Sequence, residues 1–240
     1  MTSEFWSPQI KELSQHYDVI AYDLLGHGGS PLPPPAPTLA DYARQLIALL
    51  DALAIPRAHI VGHSMGALVV LETALAFPDR IACVTAMNGV YCRTPEQKAA
   101  ALARAAALDR PAASVAPTLA RWFGDPVPPR QQSAADLCAR LLASADPVGY
   151  ARTYRLFASS DEAHAGRLTA LTCPALFITG ETDPNSTPAM SVAMAAAAPR
   201  GRAIIVPGER HMMSLAAPDR ITPHLTEFLA AVDSGQLKGL

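Results

Sequence analysis

Lysine is almost missing from this chain: 240 residues contain only Lys11, Lys98 and Lys238, within 19 Lys plus Arg against 21 Asp plus Glu. The basic residues are scattered and the formal net charge is -2, so there is no basic stripe to hold a polyanion, and nucleic-acid binding is not expected. Cysteine is equally scarce. Cys83, Cys92, Cys138 and Cys173 lie far apart without a C-x-x-C pair, which argues against a zinc site or a disulfide framework and for buried free thiols. Long apolar runs are lacking too. Nothing approaches the roughly 20 apolar residues that cross a bilayer, and Met1 to Trp6 has no basic segment followed by an apolar run of the secretory kind. The expectation is a soluble, cytoplasmic protein with no membrane partner.

What is present is apolar and evenly charged: 50% hydrophobic and 17% charged residues, enough for one domain with a sizeable core. Short runs rich in β-branched residues recur at Asp18 to Tyr22, Ala58 to Val61, Ala82 to Met87, Ala175 to Thr179 and Ala203 to Val206. Their lack of polar alternation predicts strands buried on both faces. Helical spacing of apolar residues fills Thr38 to Leu53, Ala67 to Phe77, Pro188 to Ala198 and Pro218 to Val232. The alternation of the two predicts an α/β class with a mostly parallel sheet.

From Cys92 to Gly166 the alternation stops. Ala-rich helical stretches are broken at Pro111, Pro117, Pro126 to Pro129 and Pro147, which predicts a helical lid (92–166) inserted into a core of residues 1–91 and 167–240. Trp122, Phe123, Tyr150, Tyr154 and Phe157 place large rings in this small-residue segment. Such rings either wall a substrate pocket or pin the insertion to the sheet.

Gly62-His63-Ser64-Met65-Gly66 follows the predicted strand at Ala58 and opens the helix near Ala67, the strand, turn, helix context of a nucleophile elbow. A serine hydroxyl is a weak nucleophile at neutral pH, so it needs an imidazole within reach and a carboxylate behind that imidazole. Two later loops offer them. One strand ends in Gly180-Glu181-Thr182-Asp183-Pro184 and another in Pro207-Gly208-Glu209-Arg210-His211. Loops leaving the carboxyl ends of parallel strands share one rim, so these can converge on Ser64. His16, His164 and His224 sit on helical or loop segments without an expected carboxylate partner, while His63 lies inside the elbow and His59 precedes it in the strand, which leaves His211 as the base. Glu181, Asp183 and, in the insertion, Asp161 remain open as the acid.

The elbow, the two loops and Asp23-Leu24-Leu25-Gly26-His27-Gly28-Gly29-Ser30, similar to the D-x-x-G-H-G-x-S segment after the fourth strand of α/β-hydrolases, together resemble the α/β-hydrolase superfamily from Trp6 to about Leu229. The resemblance implies Ser64 as nucleophile, His211 as base and Asp183, in the G-x-x-D-P pattern, as acid; Asn88 occupies the other place where relatives carry the acid. It implies a local structural role for His27 and the Met65 N–H as one oxyanion donor. Relatives have three earlier strands, and the loop after the third supplies the second donor. The sequence begins beyond that loop, so a sheet truncated at its N-terminus is expected, and an upstream in-frame His-Gly segment in the coding DNA would decide it.

Arg121-Trp122-Phe123 and Asp146 to Ala151 resemble the lid of 3-oxoadipate enol-lactonase-like enzymes. That implies a small ester or lactone bearing a carboxylate, with Trp122, Tyr150 and Tyr154 in the pocket and Arg121, Arg152 or Arg155 as carboxylate clamp. Rival expectations are hydrolysis of a carbon-carbon bond in a vinylogous diketone by the same residues, and a non-catalytic binding protein. No metal or organic cofactor is implied, and oligomeric state is not legible.

Overall fold

The central strands of the sheet divide their side chains between two apolar cores. In β2 (Ile81–Met87), Val84 and Ala86 face one core while Cys83 and Met87 face the other; in β3 (Ala175–Gly180), Ala175 and Phe177 oppose Leu176 and Ile178. The computed structural model describes residues 1–108 and 114–236. Its sheet is parallel, in the order β1 (Ala58–His63), β2, β3, β4 (Gly201–Val206).

Helices close both faces. α2 (Leu39–Ala52), α3 (Met65–Ala76) and α8 (Pro188–Ala197) cover one side through Leu46, Leu50, Val70, Leu71 and Met194. α1 (Ser7–Leu13) and α10 (Pro218–Asp233), the latter preceded by the single turn α9 (Met213–Ala216), cover the other through Leu13, Leu225, Phe228 and Leu229. The helix starts are written in the sequence: Thr38 and Asp41 form a reciprocal capping box on α2. The four predicted strands from Ala58 onward and their helices are present, with ends displaced by one to two residues.

The predicted strand Asp18 to Tyr22 is not one. The segment has no regular structure, although Tyr22 packs on the first core and Val19 on the second, as successive sides of a strand would. A strand exists through its partners, and β1, the nearest candidate, is the edge of the sheet and pairs only with β2. A slot separates the two, walled by Tyr17 to Tyr22 on one side and Arg57 to Ser64 on the other.

Between β2 and β3 lie α4 (Pro95–Ala107), α5 (Ala116–Phe123), α6 (Gln132–Ala143) and α7 (Pro147–Ser159). Pro117 stands in the first turn of α5, Pro129 opens a short 3-10 turn and Pro147 opens α7, where a missing amide costs nothing. They start helices more than they break them. Pro111 lies outside the described residues. Three cysteines are buried as expected, but Cys92 is exposed at the exit from β2. Among the described residues no helix is long and apolar enough to cross a membrane.

Candidate active site

β1 delivers the chain directly into Ser64, which has φ +55° and ψ −112°, the left-handed region that a non-glycine residue avoids. The turn is possible because a Cβ on Gly62 would collide with the Gly66 carbonyl, so only glycine lets strand and helix come this close. The Ser64 amide donates to the Met87 carbonyl of β2 at 2.9 Å, fixing the turn to the sheet. Met65 is the first residue of α3, so its N–H has no partner inside the helix and stands at the positive end of the helix dipole.

The loops after β3 and β4 meet this turn. Ser64 Oγ donates to His211 Nε2 at 3.2 Å, and His211 Nδ1 donates to Asp183 Oδ2 at 2.8 Å. An ionised carboxylate only accepts, so the proton resides on Nδ1 and Nε2 is left free to take the serine proton. Asp183 also accepts from Asn88 Nδ2 at 2.9 Å and from the Asn185 amide at 2.8 Å. Burial opposes its ionisation, but attraction to His211 and these hydrogen bonds outweigh burial and hold the carboxyl below its ordinary range. Glu181 is turned away, accepting from the Gly208 amide at 2.8 Å, and Asp161 pairs with Arg93 in the insertion. The geometry therefore brings together Ser64, His211 and Asp183 from the sequence candidates. Such an arrangement can transfer an acyl group to a serine.

Two further contacts were not legible in the sequence. His63 Nε2 donates to the His211 carbonyl at 2.8 Å, with the two rings 4.9 Å apart. Burial and the neighbouring His211 push the His63 imidazole down to about 3, so it stays neutral. Asn88, with φ +49°, crosses from the end of β2 to share the Asp183 oxygen that holds His211. Its signal was only its place at a strand end. One expectation is corrected: His164 has a carboxylate neighbour, Glu72 of α3, 3.3 Å away and 92 positions distant in sequence.

The dyad opens on a cavity of about 570 Å³ that continues into the slot beside β1. From the insertion, Arg121, Trp122, Tyr150, Tyr154 and Phe157 line it; Phe123 instead is buried against Phe5 and Met212. Trp122 stacks on His211 with centroids 6.0 Å apart. Arg121 donates to Thr118 at 3.4 Å, and no carboxylate among the described residues pairs with it. Burial, then repulsion by Arg104, lowers its pKa, so an anion in the cavity would stabilise it. Arg152 donates to the Pro33 carbonyl at 2.6 Å, and neither Arg152 nor Arg155 lines the cavity. His27 also lines it but is held by the Leu25 carbonyl at 3.2 Å, and Asp23 accepts from the Gly29 and Ser3 amides, so that segment is a structural brace. Among the described residues no cluster of three His, Cys, Asp or Glu side chains could hold a metal ion.

Comparison with known proteins agrees with this architecture. The sequence pattern of the alpha/beta hydrolase family matches residues 1–223, and the chain belongs to that family. It is 35% identical over 229 residues to (E)-2-((N-methylformamido)methylene)succinate hydrolase of Acinetobacter baylyi, spanning 95% of this chain and 86% of that protein. 3-Oxoadipate enol-lactonase 1 of the same organism is 32% identical over 182 residues, covering 76% of this chain and 67% of the relative. Among solved structures, a thermophilic esterase from Thermogutta terrifontis with malate bound superposes with a TM-score of 0.87 at 25% identity, covering 97% of this chain and 86% of that one.

Proposed function

We propose that the protein is a serine hydrolase that cleaves a small carboxylate-bearing ester or lactone through an acyl-enzyme on Ser64. The observation that carries this is the unbroken relay from Ser64 Oγ through His211 to Asp183 at the mouth of the cavity. Ser64 attacks the substrate carbonyl as its proton passes to His211 Nε2, and the imidazolium is stabilised by Asp183. The tetrahedral oxyanion accepts from the Met65 N–H. Collapse expels the leaving oxygen, which takes the proton from His211. Water, deprotonated by His211, then attacks the acyl-enzyme and releases the acid and Ser64.

Segment 92–166 acts as a lid that walls the cavity with Trp122, Tyr150 and Tyr154 and presents Arg121 to a substrate carboxylate. Two observations support a carboxylate: Arg121 lines the cavity without an acidic partner among the described residues, and two of the similar proteins are named for carboxylate-bearing molecules. Each donor of an oxyanion hole is worth on the order of 10² to 10³ in turnover. A strand laid in the slot would satisfy the free edge of β1 and end beside Ser64, where a second amide is needed.

The test is a panel of esters and lactones, with and without a carboxylate, assayed against the protein and its Ser64→Ala variant. Hydrolysis of carboxylated members that disappears in the variant is the expected result. Turnover no greater than that of Ser64→Ala on every member, or dienoate release from a vinylogous diketone as the preferred reaction, would overturn it.

A further inference from the structure

Two residues before His211, Glu209 is fully buried, an expensive place for a carboxylate unless its oxygens are occupied. Both are. Oε1 accepts from Arg220 Nη1 of α10 at 2.6 Å and from Arg130 Nη1 and Nη2 at 3.3 Å, and Oε2 accepts from Gln131 Nε2 at 3.4 Å. Arg130 and Gln131 belong to the 3-10 turn of Pro129–Gln131 within the insertion. Arg220 also donates to the Pro207 carbonyl at 2.9 Å, so the loop that carries His211 is gripped at 207 and 209.

The backbone of the same residue reaches the acid. The Glu209 carbonyl accepts from both the amide and the hydroxyl of Thr182, each at 2.9 Å, and Thr182 directly precedes Asp183. A Cβ on Gly180 would collide with that carbonyl, so the β3 exit is pressed against Glu209. One residue thus joins the base loop, the acid loop, the insertion and α10, yet it does not line the cavity.

We infer that Glu209 is a positioning residue: its buried carboxylate, held by Arg220 and Arg130, sets the distance between His211 and Asp183. This rests on the Ser64 hydrolase reading for its catalytic meaning. A displacement of about 1 Å in such a pair lowers turnover by up to a hundredfold. Substrate binding is untouched, because Glu209 contacts none of the cavity.

The experiment compares Glu209→Ala, Glu209→Gln and Arg220→Ala by kcat and KM on the best ester of the panel, and by the far-downfield proton NMR signal of His211 Nδ1–H in the free protein. Glu209→Ala and Arg220→Ala are expected to lower kcat about tenfold to a hundredfold with KM within about twofold, and to shift or broaden the downfield proton. Glu209→Gln, which keeps the shape and one acceptor oxygen, is expected between them and the parent. A purely structural residue would lower the melting temperature and leave the proton of the folded variant in place. An unchanged proton and unchanged kcat in folded Glu209→Ala overturn the proposal. If that variant does not fold, the same result in Arg220→Ala does so. The proton signal needs no turnover, so a parent protein that hydrolyses nothing defeats the hydrolase reading while the signal still decides the role of Glu209.

Discussion

His63 Nε2 donates to the backbone carbonyl of His211 at 2.8 Å, tying the elbow to the loop after β4 by a half-buried side chain that also lines the cavity. In the proposed mechanism, the residue flanking the nucleophile thus braces the residue that activates it.

This neutral imidazole makes stability depend on pH. Its pKa falls from 6.5 in the unfolded chain to about 3 in the fold, so between those values the unfolded chain binds the proton and the folded one does not. Stability from this site is complete above about pH 6.5 and drains away as pH falls toward 3, by at most roughly 5 kcal/mol. Urea midpoints measured at pH 7 and pH 5 should drop for the parent and drop less for His63→Gln. Equal drops would show that His63 is not held neutral.

Ser64 carries the cost of its own placement. A non-glycine residue at φ +55° is strained by about 1 kcal/mol or more, and glycine would relieve it. Ser64→Gly should therefore raise the melting temperature by roughly 2 to 4 °C while abolishing acyl transfer, whereas Ser64→Ala abolishes transfer without the gain. Calorimetry of the two variants checks this; equal melting temperatures would argue against strain at the elbow.

Arg121 should discriminate substrates by charge. Removing a charge-assisted hydrogen bond costs about 1.5 to 3 kcal/mol, so Arg121→Ala should raise KM about tenfold to a hundredfold for carboxylated esters. It should leave p-nitrophenyl acetate within about threefold. Parallel losses on both substrates would assign Arg121 to the packing of the insertion instead.

Most of the frame was legible because its signals are local. Gly62 and Gly66 announce the elbow, Thr38 with Asp41 announces α2, and the β-branched runs announce four strands. Asp183 could be preferred to Glu181 only through the family pattern; spacing alone left both. Asp18 to Tyr22 misled because its residues are suited to a strand, while strandedness depends on a neighbour that composition cannot supply. The contacts of Asn88 with Asp183, Glu209 with Arg130 and His164 with Glu72 join residues 79 to 95 positions apart, or 92 in the last case, and no periodicity encodes them. Glu209 was in plain view in the loop of the base. Its burial was not.

The proposed mechanism stands on Ser64 being a nucleophile activated by His211. Intact mass measured after exposure to a fluorophosphonate probe tests it most directly. One adduct mapping to Ser64 is expected, absent from Ser64→Ala and formed far more slowly in His211→Ala. No adduct on the parent protein, or the same adduct on Ser64→Ala, would show that Ser64 is not an activated nucleophile.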